Sequence, residues 1–159
     1  MAYDSTKTSD DDCHCTVVIV NWNSWDILPR CLEKLECQTF QNFNVLVIDN
    51  ASDQPVPVGL LSKHHRVTLI QNKTNLGFAA ANNQAIRLLD DTEWLVLLNP
   101  DAFPEPGWLE KLVRTAEQNP AYSAFGSRQM MENNKISLMA TAMFTTSAVW
   151  FGATDMASI

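Results

Sequence analysis

Four short runs carry the hydrophobic pattern: Thr16-Val17-Val18-Ile19-Val20, Val45-Leu46-Val47-Ile48, Val67-Thr68-Leu69-Ile70 and Trp94-Leu95-Val96-Leu97-Leu98. They are too short for core helices and lack the alternation of a half-exposed strand, so they predict strands covered on both faces. Between them the period changes. Leu28, Cys31, Leu32 and Leu35 fall at the i, i+3, i+4, i+7 spacing of one helix face, predicting a helix from about Trp25 with Pro29 in its first turn. A second helix is expected from Phe78 to about Leu89, after Asn75-Leu76-Gly77. A third opens after Pro104-Glu105-Pro106, lines up Leu109, Leu112, Val113 and Ala116, and stops at Pro120. Pro55, Pro57 and Gly59 predict an irregular loop running to about His65. Strand and helix alternate, which implies right-handed βαβ units: a three-layer α/β fold, its mainly parallel sheet flanked by helices on both faces.

The ends of the chain break this pattern. Residues 1–15 are polar, acidic and aperiodic, which reads as a flexible leader before one domain over residues 16–130. Ile136 to Thr154 carries no charge yet mixes Ser137, Thr141, Thr145, Thr146 and Ser147 with Met, Ala and aromatic residues. That is marginal for a membrane helix, which needs about 20 predominantly apolar residues. Residues 131–159 are therefore read as an incomplete continuation of the fold, and the ending at Ile159, without a helix stop, as a cut.

Composition narrows the class. A chain of 159 residues with 46% hydrophobic and 18% charged residues suits one soluble globular domain. The net charge of −7 argues against a nucleic-acid partner, which asks for a basic face, and requires that any polyphosphate ligand be offset by a metal or by helix dipoles. The acidic N-terminus is no secretory signal, so Cys13, Cys15, Cys31 and Cys37 are expected as reduced thiols in the cytoplasm. Cys13-His14-Cys15 lacks the spacing of a structural zinc site. His14, His64 and His65 fall in loops, where a solvated imidazole is the expectation.

Each predicted strand empties into short polar residues: Asn21 and Asn23, then Asp49 and Asn50, then Asn72 and Asn75, then Asn99 and Asp101 around Pro100. Asn and Asp favour turns for local reasons, so one such position means little. Four recurrences on one parallel sheet would gather on its carboxyl edge, where open α/β sheets bind ligands. Glycines at 59, 77, 107, 126 and 152 cannot assemble a dinucleotide fingerprint or a Walker loop, and no glycine-rich loop follows the first strand, as a sugar nucleotidyltransferase would require. Phosphates would have to be held at the amino end of the helix after Gly77 and by a divalent cation, Mg²⁺ or Mn²⁺, on Asp101.

These stretches carry a resemblance. Val18-Ile19-Val20-Asn21-Trp22-Asn23, Val47-Ile48-Asp49-Asn50-Ala51-Ser52-Asp53, Asn75-Leu76-Gly77-Phe78-Ala79-Ala80-Ala81-Asn82-Asn83 and Leu98-Asn99-Pro100-Asp101 resemble, in order, the donor half of family 2 glycosyltransferases, the rhamnosyltransferase-like branch above all. The resemblance covers about Thr16 to Gln129. It implies a GT-A fold binding a nucleoside diphosphate sugar, uridine- or thymidine-linked, for inverting transfer to a saccharide or lipid-linked acceptor in cell-surface polysaccharide or glycan synthesis. It further implies that Asn23 and Asp49 meet base and ribose, that Asn75, Gly77 and Asn82 lie beside the nucleotide together with Asn21 and Asn99, and that Asp101 is the last acid of a DxD metal motif. The expected location is the cytoplasm, including the inner face of the membrane, with peripheral membrane association. Asn99 stands where many members have the first acid, leaving one carboxylate for the metal. Members supply the general base and the acceptor surface further along, so residues 131–159 would begin the acceptor side, and Asp155 has neither the neighbours nor the distance to be that base. The competing expectation is a non-catalytic nucleotide-sugar binding module or an inactive fragment.

Overall fold

A computed structural model describes residues 15–89, 92–130, 136–137 and 142–145. Residues 1–14 of the expected leader, Cys13 and His14 among them, and Trp150, Phe151 and Asp155 lie outside the described residues, whereas Cys15, the leader's expected last residue, is buried as the first residue of β1. The elements are β1 (Cys15–Asn21), α1 (Leu28–Glu36), β2 (Phe43–Asp49), α2 (Leu60–Lys63), β3 (Val67–Gln71), α3 (Phe78–Ile86), β4 (Trp94–Leu97), α4 (Trp108–Gln118), β5 (Ala124–Gly126), β6 (Gln129–Met130), β7 (Ile136–Ser137) and β8 (Ala142–Thr145).

The main sheet runs in the order β3-β2-β1-β4-β8-β5, and β6 with β7 makes a separate antiparallel pair. β3, β2, β1 and β4 are mutually parallel, while β8 lies antiparallel between β4 and β5. All four apolar runs thus become neighbouring parallel strands, and the sheet is mainly parallel and flanked by helices as the sequence implies, but β3, at the sheet edge, is only partly buried and leaves Thr68 exposed rather than being covered on both faces. What periodicity did not disclose is β8: the uncharged stretch after Lys135 places Ala142–Thr145 inside the same sheet.

Two apolar layers hold the sheet. On one face Val17, Ile19, Val45, Val47 and Val96 pack with Leu28, Leu32 and Leu35 of α1 and Leu109, Leu112 and Val113 of α4. On the other, Val18, Leu46, Ile48 and Leu95 meet Ala81 and Ala85 of α3. Alternate residues of one strand point to opposite faces, so a run apolar at every position is what two covered faces demand. Each buried Leu or Ile contributes about 1.5–3 kcal/mol.

α1 starts at Leu28 rather than Trp25, because residues 25–27 form a turn closed by Ser24 O accepting from the N–H groups of Ile27 and Leu28. α4 borrows its cap: its own N-cap residue Gly107 has no side chain, and Gln38 Oε1 accepts from Leu109 N (2.9 Å) while Gln38 Nε2 donates to Glu105 O (2.9 Å). The proline-rich loop is less irregular than expected, since it contains α2. His64 at its end is buried rather than solvated, with Nδ1 against Glu36 Oε1, because the loop folds back onto α1. Among the described residues no helix is long and apolar enough to cross a membrane.

Candidate functional site at the carboxyl edge

β1, β2 and β3 end in register: Asn21 pairs with Asp49, and Asp49 with Gln71. The chain builds β1, β2 and β3 in one direction and then returns to place β4 on the other side of β1. The crevice between the β1 and β4 ends is therefore the topological switch point, where a parallel sheet leaves room for a ligand. Asn21–Asn23 and Asn99–Asp101 flank it.

Two hydrogen-bonded clusters occupy the edge. In the first, Asp49 Oδ1 accepts from Ser52 Oγ (2.5 Å), Ser52 N (3.3 Å) and Asn21 Nδ2 (3.3 Å). Ser52 Oγ in turn accepts from Asn21 Nδ2 (3.2 Å) and Asn23 N (2.8 Å). Asn23 and Asp53 bond reciprocally, Asn23 Nδ2 to Asp53 Oδ2 at 2.9 Å and Asp53 N to Asn23 Oδ1 at 2.8 Å. Asp49 is 3% exposed and Asn21 0%. Asn21 Oδ1 is buried without a partner.

Asn50 centres the second cluster. Its Oδ1 accepts from Asn72 Nδ2 (3.1 Å) and Leu76 N (3.0 Å), and its Nδ2 donates to Asn75 Oδ1 (2.7 Å), which also accepts from Gly77 N (2.8 Å). These bonds fix the loop that enters α3. Gly77 stands at φ 82° and ψ 162°, a conformation essentially reserved for glycine. No side chain caps α3, so its first-turn N–H groups remain available to an anion. Asn82 is buried and donates to Phe78 O of its own helix (2.9 Å), joining neither cluster.

At β4, Asn99 O accepts from Ala102 N (3.1 Å) to close the turn that exposes the Asn99 and Asp101 side chains. α1 holds this turn from below: Cys31 Sγ reaches Asn99 O at 3.8 Å, and the Arg30 guanidinium lies 4.1 Å from the centroid of Phe103. Asp101 makes no hydrogen bond or ion pair among the described residues. These residues also contain no cluster of three or more His, Cys, Asp or Glu. One open carboxylate is nonetheless a fit for Mg²⁺ or Mn²⁺, because such ions retain several waters and complete their shell from substrate phosphates.

Burial, and secondarily the Asp101 carboxylate, push the Cys31 thiol from 9.0 up to about 12. A raised thiol pKa in the folded state stabilises the fold below pH 9, and that contribution is lost as pH climbs from 9 toward about 12, where the unfolded chain ionises first. With the native protein at pH 8, iodoacetamide should modify exposed Cys37 and spare Cys31, read by peptide mass. Equal labelling of the two would contradict the thiol's burial beneath the β4 turn.

The structure brings Asn21, Asn23 and Asp49 into one cluster and Asn75 and Gly77 into a second, with Asn99 and Asp101 across the switch point. Ser52, Asp53, Asn50 and Asn72 complete the clusters. Asn50 and Asn72 stand out in the sequence as strand-end residues, whereas Ser52 and Asp53 fall within a stretch that carries the resemblance without a role of their own.

Glycosyl transferase family 2 matches residues 16–149. A Haemophilus influenzae protein called an uncharacterized glycosyltransferase is 34% identical over 105 residues, 66% of this chain and 35% of the relative. The Mycobacterium tuberculosis N-acetylglucosaminyl-diphospho-decaprenol L-rhamnosyltransferase is 28% identical over 120 residues, 69% of this chain and 39% of that protein. The chain thus spans little more than a third of these relatives. Among solved structures, S. aureus TarS 1-349 in complex with UDP superposes with a TM-score of 0.70 at 16% identity, covering 88% of this chain and 49% of TarS, a likeness of fold.

Proposed function

The chain belongs to glycosyl transferase family 2, and from that premise we propose that its carboxyl edge binds a uridine- or thymidine-linked nucleoside diphosphate sugar for transfer to an acceptor hydroxyl. The observation that carries this reading is an unanswered acceptor, buried Asn21 Oδ1, beside the Asp49 carboxylate at the β1–β2 edge. A buried acceptor left unpaired costs about 1–3 kcal/mol, which a ligand N–H or O–H would recover. In this reading Asn23 and Asp49 meet the base and ribose. Asn75, Gly77 and the N-terminus of α3 lie along the nucleotide, with Asn82 in the next turn of that helix, and Asn99 and Asp101 face the diphosphate across the switch point.

A divalent cation held by Asp101 would offset charge on the departing diphosphate. Asn99 in place of a second acid leaves the Asp101 carboxylate as the cation's protein anchor. The mycobacterial relative is named for a diphospho-decaprenol acceptor, which supports a lipid-linked saccharide as acceptor, work at the inner face of the membrane and a part in cell-surface polysaccharide synthesis. For these 159 residues by themselves, the activity proposed is donor binding, and sugar transfer is proposed for the whole protein, of whose relatives the chain spans 35% and 39%.

The test is calorimetric titration with UDP and dTDP in Mn²⁺, in Mg²⁺ and in chelator. TarS has been solved with UDP and with UDP-GlcNAc, which makes UDP the first ligand to try. Saturable one-site binding strengthened by the metal is expected. No binding of either nucleotide by the folded chain would remove the reading.

A further inference from the structure

The first cluster contains more than donor-facing groups. Its hub is a hydroxyl. Ser52 Oγ sits 2.5 Å from Asp49 Oδ1, 3.2 Å from Asn21 Nδ2 and 2.8 Å from Asn23 N. A serine has one proton to give and two lone pairs to fill. Here the proton goes to the carboxylate and both lone pairs are taken, one by a side-chain amide and one by a backbone N–H, so its capacity is used completely by groups of two separate loops.

Those loops are held in unfavourable backbone conformations. Asn23 at φ 54° and Ala51 at φ 62° both occupy the left-handed region. Asparagine tolerates it, whereas alanine pays roughly 1–2 kcal/mol. Neither loop has regular structure to impose such angles. What does impose them is the pair of links between the loops: the Ser52 hub and, one residue on, the reciprocal Asn23–Asp53 bonds at 2.9 and 2.8 Å. Trp22, between the two bonded asparagines, stands 56% exposed beside the site.

We infer that Ser52 is a positioning residue for donor recognition: its hydroxyl, with the Asn23–Asp53 pair as a second clasp, latches the β1 loop to the β2 loop and so fixes Asn21, Asn23 and Asp49 in one arrangement before any nucleotide arrives. This rests on the donor-site reading above. Ser52 itself spends every hydrogen-bonding valence inside the protein and contacts no ligand. Its effect is preorganisation: without the hydroxyl, Asp49 loses a charge-assisted bond, Asn23 N loses its acceptor, and the two strained residues relax independently.

A latch of this kind acts on the base-and-ribose end of the site and not on the diphosphate end at Asp101, which lies across the switch point beyond β4. The experiment therefore measures the ratio of UDP affinity to inorganic diphosphate affinity, both in Mn²⁺, for the parent, Ser52→Ala, Ser52→Thr and Asp53→Ala. Ser52→Ala should lower the ratio by about tenfold, the effect of losing one hydrogen bond to a charged group. Ser52→Thr, which keeps the hydroxyl, should restore it, and Asp53→Ala should lower it by a smaller factor. Amide hydrogen exchange supplies a second readout that needs no ligand: the Asn23 N–H should exchange faster in Ser52→Ala than in the parent. If both affinities fall together so that the ratio is unchanged, or if the Asn23 amide is unaffected, the latch is overturned while the donor site stands. A folded parent that binds no UDP overturns the donor site and the latch with it.

Discussion

Asp49→Ala is expected to weaken UDP binding by about 10- to 100-fold, the equivalent of the roughly 1.5–3 kcal/mol of a hydrogen bond to a charged group. Asp49 reaches the edge as the last residue of β2, one strand from the switch point, with Oδ1 committed to Ser52 and Asn21. Removing the carboxylate deletes the acceptor proposed for the nucleotide and also strands the Ser52 hydroxyl and the Asn21 amide. A fall in melting temperature should therefore accompany the loss of affinity, since a donor without an acceptor in a buried setting costs about 1–3 kcal/mol. Asp49→Asn separates the two effects. It keeps an oxygen for Ser52 and removes the charge, so it should recover most of the stability and only part of the binding. Calorimetry beside thermal melting decides: a folded Asp49→Ala protein with parental affinity takes the residue out of the site.

The second large effect is expected at Asp101. Asp101→Asn should lower UDP affinity in Mn²⁺ by on the order of tenfold or more and make it equal to the affinity in chelator. The reasoning is electrostatic. The chain is acidic, with a net charge of −7, and the carboxylate beyond β4 is exposed with no ion pair among the described residues. A diphosphate approaching that edge meets like charge unless a cation intervenes, and a hard divalent ion asks for at least one anionic oxygen from the protein. The exposed position should leave the unfolding free energy within about 0.5 kcal/mol of the parent. Parental binding that is indifferent to chelator would mean that the α3 N-terminus and its dipole suffice, and that Asn99 marks a site working without metal.

The parts of the fold that could be read from the chain share one property: they depend on neighbours in sequence. Val17 to Val20, Val45 to Ile48 and Trp94 to Leu98 are apolar at nearly every position because both faces of a parallel strand are covered, and that pattern is local. Leu28, Cys31, Leu32 and Leu35 mark their helix for the same reason. The strand-end residues Asn21, Asp49 and Asp101 could be named because a parallel sheet must gather its carboxyl ends on one edge, and the four ordered motifs pointed to the family that the match over residues 16–149 establishes.

What the sequence left open belongs to contacts between residues far apart in the chain. His64 looked like a solvated loop histidine until the loop folded onto Glu36, 28 positions away. Ala142–Thr145 carried no strand signature, and its place between β4 and β5 depends on an edge those strands offer only once assembled. Gln38 caps a helix 71 residues downstream. Ser52 is the clearest case. Serine after a buried strand is ordinary turn chemistry, and nothing in its neighbours distinguishes a hydroxyl facing water from one that joins two loops across 29 residues of chain. The sequence by itself determined which strands exist, that they lie parallel and that their polar ends converge, because periodicity and burial follow from local composition. Only the tertiary structure decided which of those polar groups bond to one another and that Asn21 Oδ1 is left without a partner, because hydrogen-bond partners are chosen by distances that exist only after the sheet has formed.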